Sequence, residues 1–223
     1  MVRLLAFFFF ILISSAAFAQ TSLGNWAMYF GNLRINDRWA WHHEAQYRAY
    51  DILPDAEQLL LRTGAQYILP NGMHATLGYA NITSWPENDS LPAVLEHRTY
   101  QQWVMTNKVG RVKLGHRYRL EQRWINNDGN RRYANRVRYF LWADIPLTNK
   151  EVVPKTVYLS FYDEVFLEPD TWGFSQNRLF SSVGYKVNKA VAVKVGHLYQ
   201  YAGGRNNHRL QFGVWFRPDL RNR

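Results

Sequence analysis

From Arg111 to Trp124 the chain switches chemistry at every residue. Arg111, Lys113, Gly115, Arg117, Arg119, Glu121 and Arg123 fall on one side of the alternation. Val112, Leu114, His116, Tyr118, Leu120, Gln122 and Trp124 fall on the other. A period of two is the signature of a β-strand with two unlike faces. At about 3.3 Å per residue such a run is long enough to cross a bilayer while tilted. Similar alternation recurs along the chain, so the pattern predicts an all-β fold built from long two-faced strands: a transmembrane, antiparallel, up-and-down β-barrel of about 10–12 strands.

Candidate strands lie near 24–33, 38–49, 57–69, 73–82, 95–107, 111–124, 133–145, 155–167, 174–186, 190–201 and 207–217. Tight turns are expected at Asn36-Asp37, Pro70-Asn71-Gly72, Lys108-Val109-Gly110 and Asn188-Lys189, where Asn, Asp and Gly supply turn geometry. Longer polar connections are expected at Asp51–Ala56, Asn81–Ala93, Ile125–Arg132, Leu167–Phe174 and Ala202–Asn207, with proline-rich 146–154 an exception on the short rim. One rim of short turns and one of long loops is the outer-membrane arrangement, short side periplasmic. The strand count is odd where an even one is usual. That leaves a strand missed or split, or the weak first segment lying inside the barrel or across its rim.

Residues 1–19 read as a cleavable secretory signal. Arg3 supplies the basic start, Leu4–Ile13 the short apolar run and Ala17-Phe18-Ala19 the cleavage site; residues 20–223 are then the barrel. With no cysteine in the chain, disulfide, thiolate and lipid-anchor chemistry are excluded. The net charge of +10 comes largely from arginines spread over polar strand faces, often beside Glu, which argues for a polar lumen or an anionic ligand and against nucleic acid. Aromatics make up 16 % of the chain, and many flank the strands, as interfacial girdles would. Alternation alone does not say which face points inward. A soluble lipocalin-like barrel would put the apolar face inside, whereas strand length, aromatic density and loop pattern favour the lipid-facing arrangement.

Several phrases carry a family resemblance: His42-His43-Glu44-Ala45-Gln46-Tyr47-Arg48, Glu96-His97-Arg98 with Gln101-Gln102, and Arg117-Tyr118-Arg119-Leu120-Glu121-Gln122-Arg123. Arg136-Val137-Arg138-Tyr139, Tyr162-Asp163-Glu164-Val165-Phe166 and Gln176-Asn177-Arg178 leading to Gly184-Tyr185 continue it. In their order and spacing these resemble an uncharacterised family of exported bacterial outer-membrane barrels, domain of unknown function family 2490. The resemblance implies a barrel and an outer-membrane location, and no activity or substrate.

Inside a narrow barrel, arginines need partners, because desolvating an unpaired charge costs several kcal/mol. The expected lumen set is Glu44, Arg48, Arg62, Glu96, Arg98, Arg117, Arg119, Glu121, Arg123, Arg136, Arg138, Glu164 and Arg178. It reads either as an ion-pair network that fills the barrel or as an electropositive, anion-selecting lumen. Asp163, Glu164, Asn177 and Arg178 form a candidate rim site, with Glu164 facing inward. No metal site is expected: His42 and Glu44 share a strand face that His43 opposes. No catalytic set is expected either, since Ser160, Ser181, Ser182, His97 and His197 have no spacing that unites them. The Gly203-Gly204 pair lacks the strand-to-helix context of a phosphate cradle.

The sequence therefore points to an outer-membrane barrel with a polar Arg/Glu interior, without cofactor, acting as a structural element, small-solute pore or ligand-binding protein. Its partners would be outer-membrane lipid, the barrel-assembly machinery and a small anionic solute. A lipid-modifying outer-membrane hydrolase and a soluble periplasmic ligand-binding barrel remain the alternatives. The last strand, ending Phe212-Gly213-Val214-Trp215-Phe216, resembles an assembly signal, although Arg217–Arg223 follow it.

Overall fold

A computed structural model describes residues 23–51, 55–171 and 173–221; the expected signal over 1–19 lies outside them. The chain forms β1 (Leu23–Arg34), β2 (Trp39–Ala49), β3 (Ala56–Ile68), β4 (His74–Ser84), β5 (Val94–Val109) and β6 (Val112–Asn127). There follow β7 (Asn130–Pro146), β8 (Thr156–Glu168), β9 (Gly173–Lys186), β10 (Val191–Ala202) and β11 (Arg205–Phe216). All eleven belong to one closed barrel.

Sequential strands pair antiparallel, and the barrel closes where β1 pairs with β11 in parallel, from Leu23↔His208 to Gly31↔Phe216. Geometry demands this closure: with an odd number of alternating strands, the first and last point the same way. Among the described residues the odd count is therefore real, with no strand missed or split. The first segment is a wall strand and does not lie inside the barrel or across its rim.

The two rims differ less than the sequence suggested. Two connections expected to be long are two-residue turns, because the flanking strands run further than their alternation. Asp128 (φ 49°) and Gly129 (φ 83°) join β6 to β7; Gly203 (φ 56°) and Gly204 (φ 75°) join β10 to β11. Paired positive φ values are what a tight hairpin needs to match the strand twist. On the opposite rim, Asn36 accepts from the amides of Arg38 and Trp39 (both 2.9 Å) to fold the β1–β2 turn. This turn rim also carries the 147–155 segment, the expected exception.

The barrel is inverted relative to a soluble one. Leu77 is 63 % exposed on the outer wall, and Leu61, Leu120, Val183, Val195, Phe212 and Val214 are likewise exposed. Inside, Glu121 is 0 % exposed and Arg119 2 %. The small apolar cores are correspondingly few and local: Trp26, Phe180 and Leu198 near the seam, and Leu60, Ala80 and Ile82 on β3 and β4.

Candidate functional site

Strand register brings the interior charges together. Across β2 and β3, Glu44 sits opposite Arg62; across β8 and β9, Glu164 sits opposite Arg178; across β6 and β7, Arg119 sits opposite Arg138. All three pairs point inward because each strand presents alternate residues to the lumen.

Two glutamates form the hub. Arg138 Nη1 donates to Glu121 at 2.7 Å and its Nη2 to Glu164 at 2.6 Å, so one guanidinium bridges both. Arg117 Nη2 also donates to Glu164 (2.6 Å), and Arg178 approaches it at 3.7 Å. Arg98 donates to Glu121 at 3.2 Å and to Glu96, while Arg119 approaches Glu121 at 3.7 Å. Glu96 in turn takes a two-pronged bond from Arg123 (2.7 and 2.8 Å). On the far wall Arg62 Nη1 donates to both oxygens of Glu44 at 2.7 Å. Gln46 donates to Glu44 as well, and itself accepts from Arg48 at 2.7 Å. Charge-assisted and forked bonds of this kind are the strong ones.

The predicted set holds nine arginines (48, 62, 98, 117, 119, 123, 136, 138, 178) and only four glutamates (44, 96, 121, 164). Aromatic faces take up much of the excess. Arg48 lies 4.0 Å from the Trp26 ring centroid, Arg117 4.3 Å from Phe140, and Arg138 4.4 Å from Phe166. Arg178 lies between Trp26 (4.9 Å) and Phe166 (4.8 Å), and Arg119 and Arg62 share Tyr100. Each such contact is worth about 2 kcal/mol when desolvated. Sequence reasoning missed these rings. Phe166 interrupts a polar face of β8, Trp26 shares its face of β1 with Met28 and Phe30, and only the register shows that they sit beneath guanidiniums. It also missed the loop-rim acids Glu57, 3.5 Å from Arg209, and Glu168, 3.4 Å from Arg136.

The suggested rim group divides between two faces. Glu164 and Arg178 belong to the interior hub, whereas Asp163 accepts from Asn177 Nδ2 (2.5 Å) on the outer wall. His42 lies 3.4 Å from Glu44 inside, and His43 bonds Tyr29 at 2.9 Å outside. No group of three or more potential metal ligands is assembled among the described residues.

The serines and histidines remain scattered. Ser160 and Ser182 are interior; Ser181 and His197 face each other across β9 and β10 on the outer wall. His197 bonds His208 (3.0 Å), and the Ser181 hydroxyl makes no hydrogen bond among the described residues. His97 bonds Tyr79 on another part of the wall. Ser160 donates to Asp144 (2.6 Å) and accepts from Lys194 (2.7 Å), with Lys194 and Asp144 3.1 Å apart. The Ser160 hydroxyl thus bridges the Lys194–Asp144 ion pair.

A cavity of roughly 1830 Å³ runs along the interior, lined in its middle by network residues such as Arg117, Arg138 and Glu164. Gly72, Gly110, Arg217 and residues 147–152 line its mouth on the turn rim; no described residue of the opposite rim's connections lines it. The turn-rim end of the cavity is thus an open cup, and the cavity continues past the Arg/Glu network to Glu57, Gln58, Gln176 and Gln200 near the other rim.

A model of the family described as a protein of unknown function (DUF2490) matches residues 23–211. No curated protein and no solved structure matches the chain. The match covers most of the chain, which therefore belongs to this family.

Proposed function

From the premise that the chain is a DUF2490 barrel, we propose that it is a bacterial outer-membrane protein whose lumen is closed by its own ion-pair network. It serves as a structural and ligand-receiving barrel and not as an open pore. The observation that carries the closed lumen is the burial of the hub: Glu121 is 0 % exposed and Glu164 3 %, although both point into the barrel. A conducting lumen would wet those carboxylates, since permeating ions travel with or exchange their water.

The membrane reading rests on the inverted wall. Exposed Leu, Val and Phe side chains cover the outside, and charges fill the inside, which in water would be unfavourable on both counts. Strands of 11 to 17 residues meet the length a tilted crossing requires. Outer-wall histidines carry partners, Tyr29 for His43 and Tyr139 for His116 (2.9 Å each). Such paired amphipathic rings suit the girdles at a membrane interface.

Reconstitution into planar bilayers tests both halves. The barrel is expected to insert, to show heat-modifiable gel mobility and to give no steady conductance. Stable conductance steps from the wild-type protein would overturn the closed lumen. Recovery in the soluble periplasmic fraction, without heat modifiability, would overturn the membrane assignment.

A further inference from the structure

The turn-rim cup holds charges that the network does not use. Lys113 on β6, Lys186 on β9 and Arg217 just beyond β11 all line the cavity and act on one another electrostatically. None of the three makes an ion pair among the described residues, and Lys186 donates only to the Lys189 carbonyl (3.0 Å). The carboxylates nearby are already engaged. Asp144 is bonded by Lys194 and Ser160, and Glu151 by Lys108 at 2.8 Å. Arg111, the next cation on this rim, donates to the carbonyls of Pro146 and Asn149. Three cations, from β6, β9 and the residue after β11, therefore converge on one concave space. The carboxylate acting on Lys113 and Arg217 there is Asp144, which sits opposite Lys113 and is shared with Lys194.

Convergent like charge raises the energy of the folded barrel unless a counter-charge enters. In a cleft with low-dielectric walls the same charges focus the field and concentrate anions. The wall beside them is aromatic. Lys194 lies 4.8 Å from the Trp215 ring centroid and 5.3 Å from that of Tyr158, and Trp215 stacks on Phe30 at 4.9 Å. Cations beside an aromatic wall match a ligand with a multiply charged end and a carbon skeleton.

We propose that the turn-rim cup binds a small phosphomonoester-class anion, its phosphate held by Lys113, Lys186 and Arg217 and its carbon part against Trp215 and Tyr158. The ligand is a free solute, because the wall is hydrogen-bonded all the way round and admits no lipid headgroup sideways. This rests on the closed-lumen reading, in which a ligand held in the cup does not pass the Arg/Glu network.

The experiment is calorimetric titration of the folded, detergent-solubilised barrel with phenyl phosphate and with inorganic phosphate, at fixed ionic strength. Saturable binding is expected, tighter for phenyl phosphate and weakening as salt rises. Lys113→Ala with Arg217→Ala should reduce affinity by about tenfold or more while heat modifiability is retained. If that pair fails to fold, Lys186→Ala alone should lower the affinity severalfold. No saturable binding to a barrel that is folded by heat modifiability would overturn the proposal, as would binding unchanged in the folded variants. Conductance is recorded on the same preparation: a barrel that conducts yet binds refutes the closed lumen and keeps the site, and one that is closed yet does not bind refutes only the site.

Discussion

Glu121 has no exposed surface and faces Arg98, Arg119 and Arg138 at once. Its value to the fold lies less in any one bond than in what its loss would strand. Removing one partner of a buried pair costs about 3–5 kcal/mol, because the remaining charge stays desolvated. Glu151 is also bonded, to Lys108, which holds its carboxyl below the usual range, but it is solvent-exposed and water screens the pair. Glu121→Ala is therefore expected to destabilise the barrel by several kcal/mol, and Glu151→Ala hardly at all, in denaturant unfolding from lipid vesicles. Equal effects would mean that water reaches the hub.

At the level of strands, the weak point of a closed barrel is its parallel seam, whose pairing is slightly less stable per residue than antiparallel pairing. Residues after β11 reinforce it. Arg34 donates its amide to the Pro218 carbonyl (3.0 Å), Leu220 donates to the Arg34 carbonyl (2.9 Å), and Arg221 reaches Asp37 in the β1–β2 turn (2.6 Å). The basic tail that departs from an aromatic chain end thus has a structural use. Hydrogen bonds from Arg221 hold the Asp219 carboxyl down at about 2. A depressed carboxylate contributes stability that is fully present above its unfolded pKa of about 3.9 and is lost as pH falls through the folded value. Hydrogen-exchange protection of the Arg34 and Leu220 amides should therefore hold from neutral pH to about 4 and decline from there toward 2. Arg221→Ala should lower it throughout and remove the acid step. Protection indifferent to both pH and Arg221 would show that the tail does not clamp the seam.

For the whole molecule, the inside-out distribution of polarity makes a ranking that a soluble barrel would reverse. Leu120 is 41 % exposed on the outer wall halfway along β6, and Arg119 beside it is buried. An arginine facing lipid at mid-membrane costs about 2–4 kcal/mol. Replacing Arg119 leaves Gln102 without its donor (2.9 and 2.5 Å) but relieves crowding among guanidiniums that outnumber their carboxylates. Leu120→Arg is expected to lower the folded yield in outer-membrane fractions more than Arg119→Leu. The opposite order would argue for an aqueous exterior.

The alternation of Arg111–Trp124 and its counterparts was enough to specify β-strands with one charged and one apolar face, because side-chain direction in a strand depends only on parity. Parity likewise put Glu44, Arg119, Glu121 and Arg138 on one face, and separated His42 from His43, before any contact was known. It could not say which arginine meets which glutamate. That depends on register between strands far apart in the chain, as when Arg117 meets Glu164 across 47 residues. Nor could parity show that Trp26 and Phe166 support guanidiniums from other strands. Polarity does not give the turn lengths at Asp128-Gly129 and Gly203-Gly204, because polar residues there continue the ladder, and hydrogen bonding, not polarity, ends a strand. The parallel seam and the cup behind the network exist only in the closed barrel, since closure alone brings β1 to β11 and Lys113, Lys186 and Arg217 to one mouth.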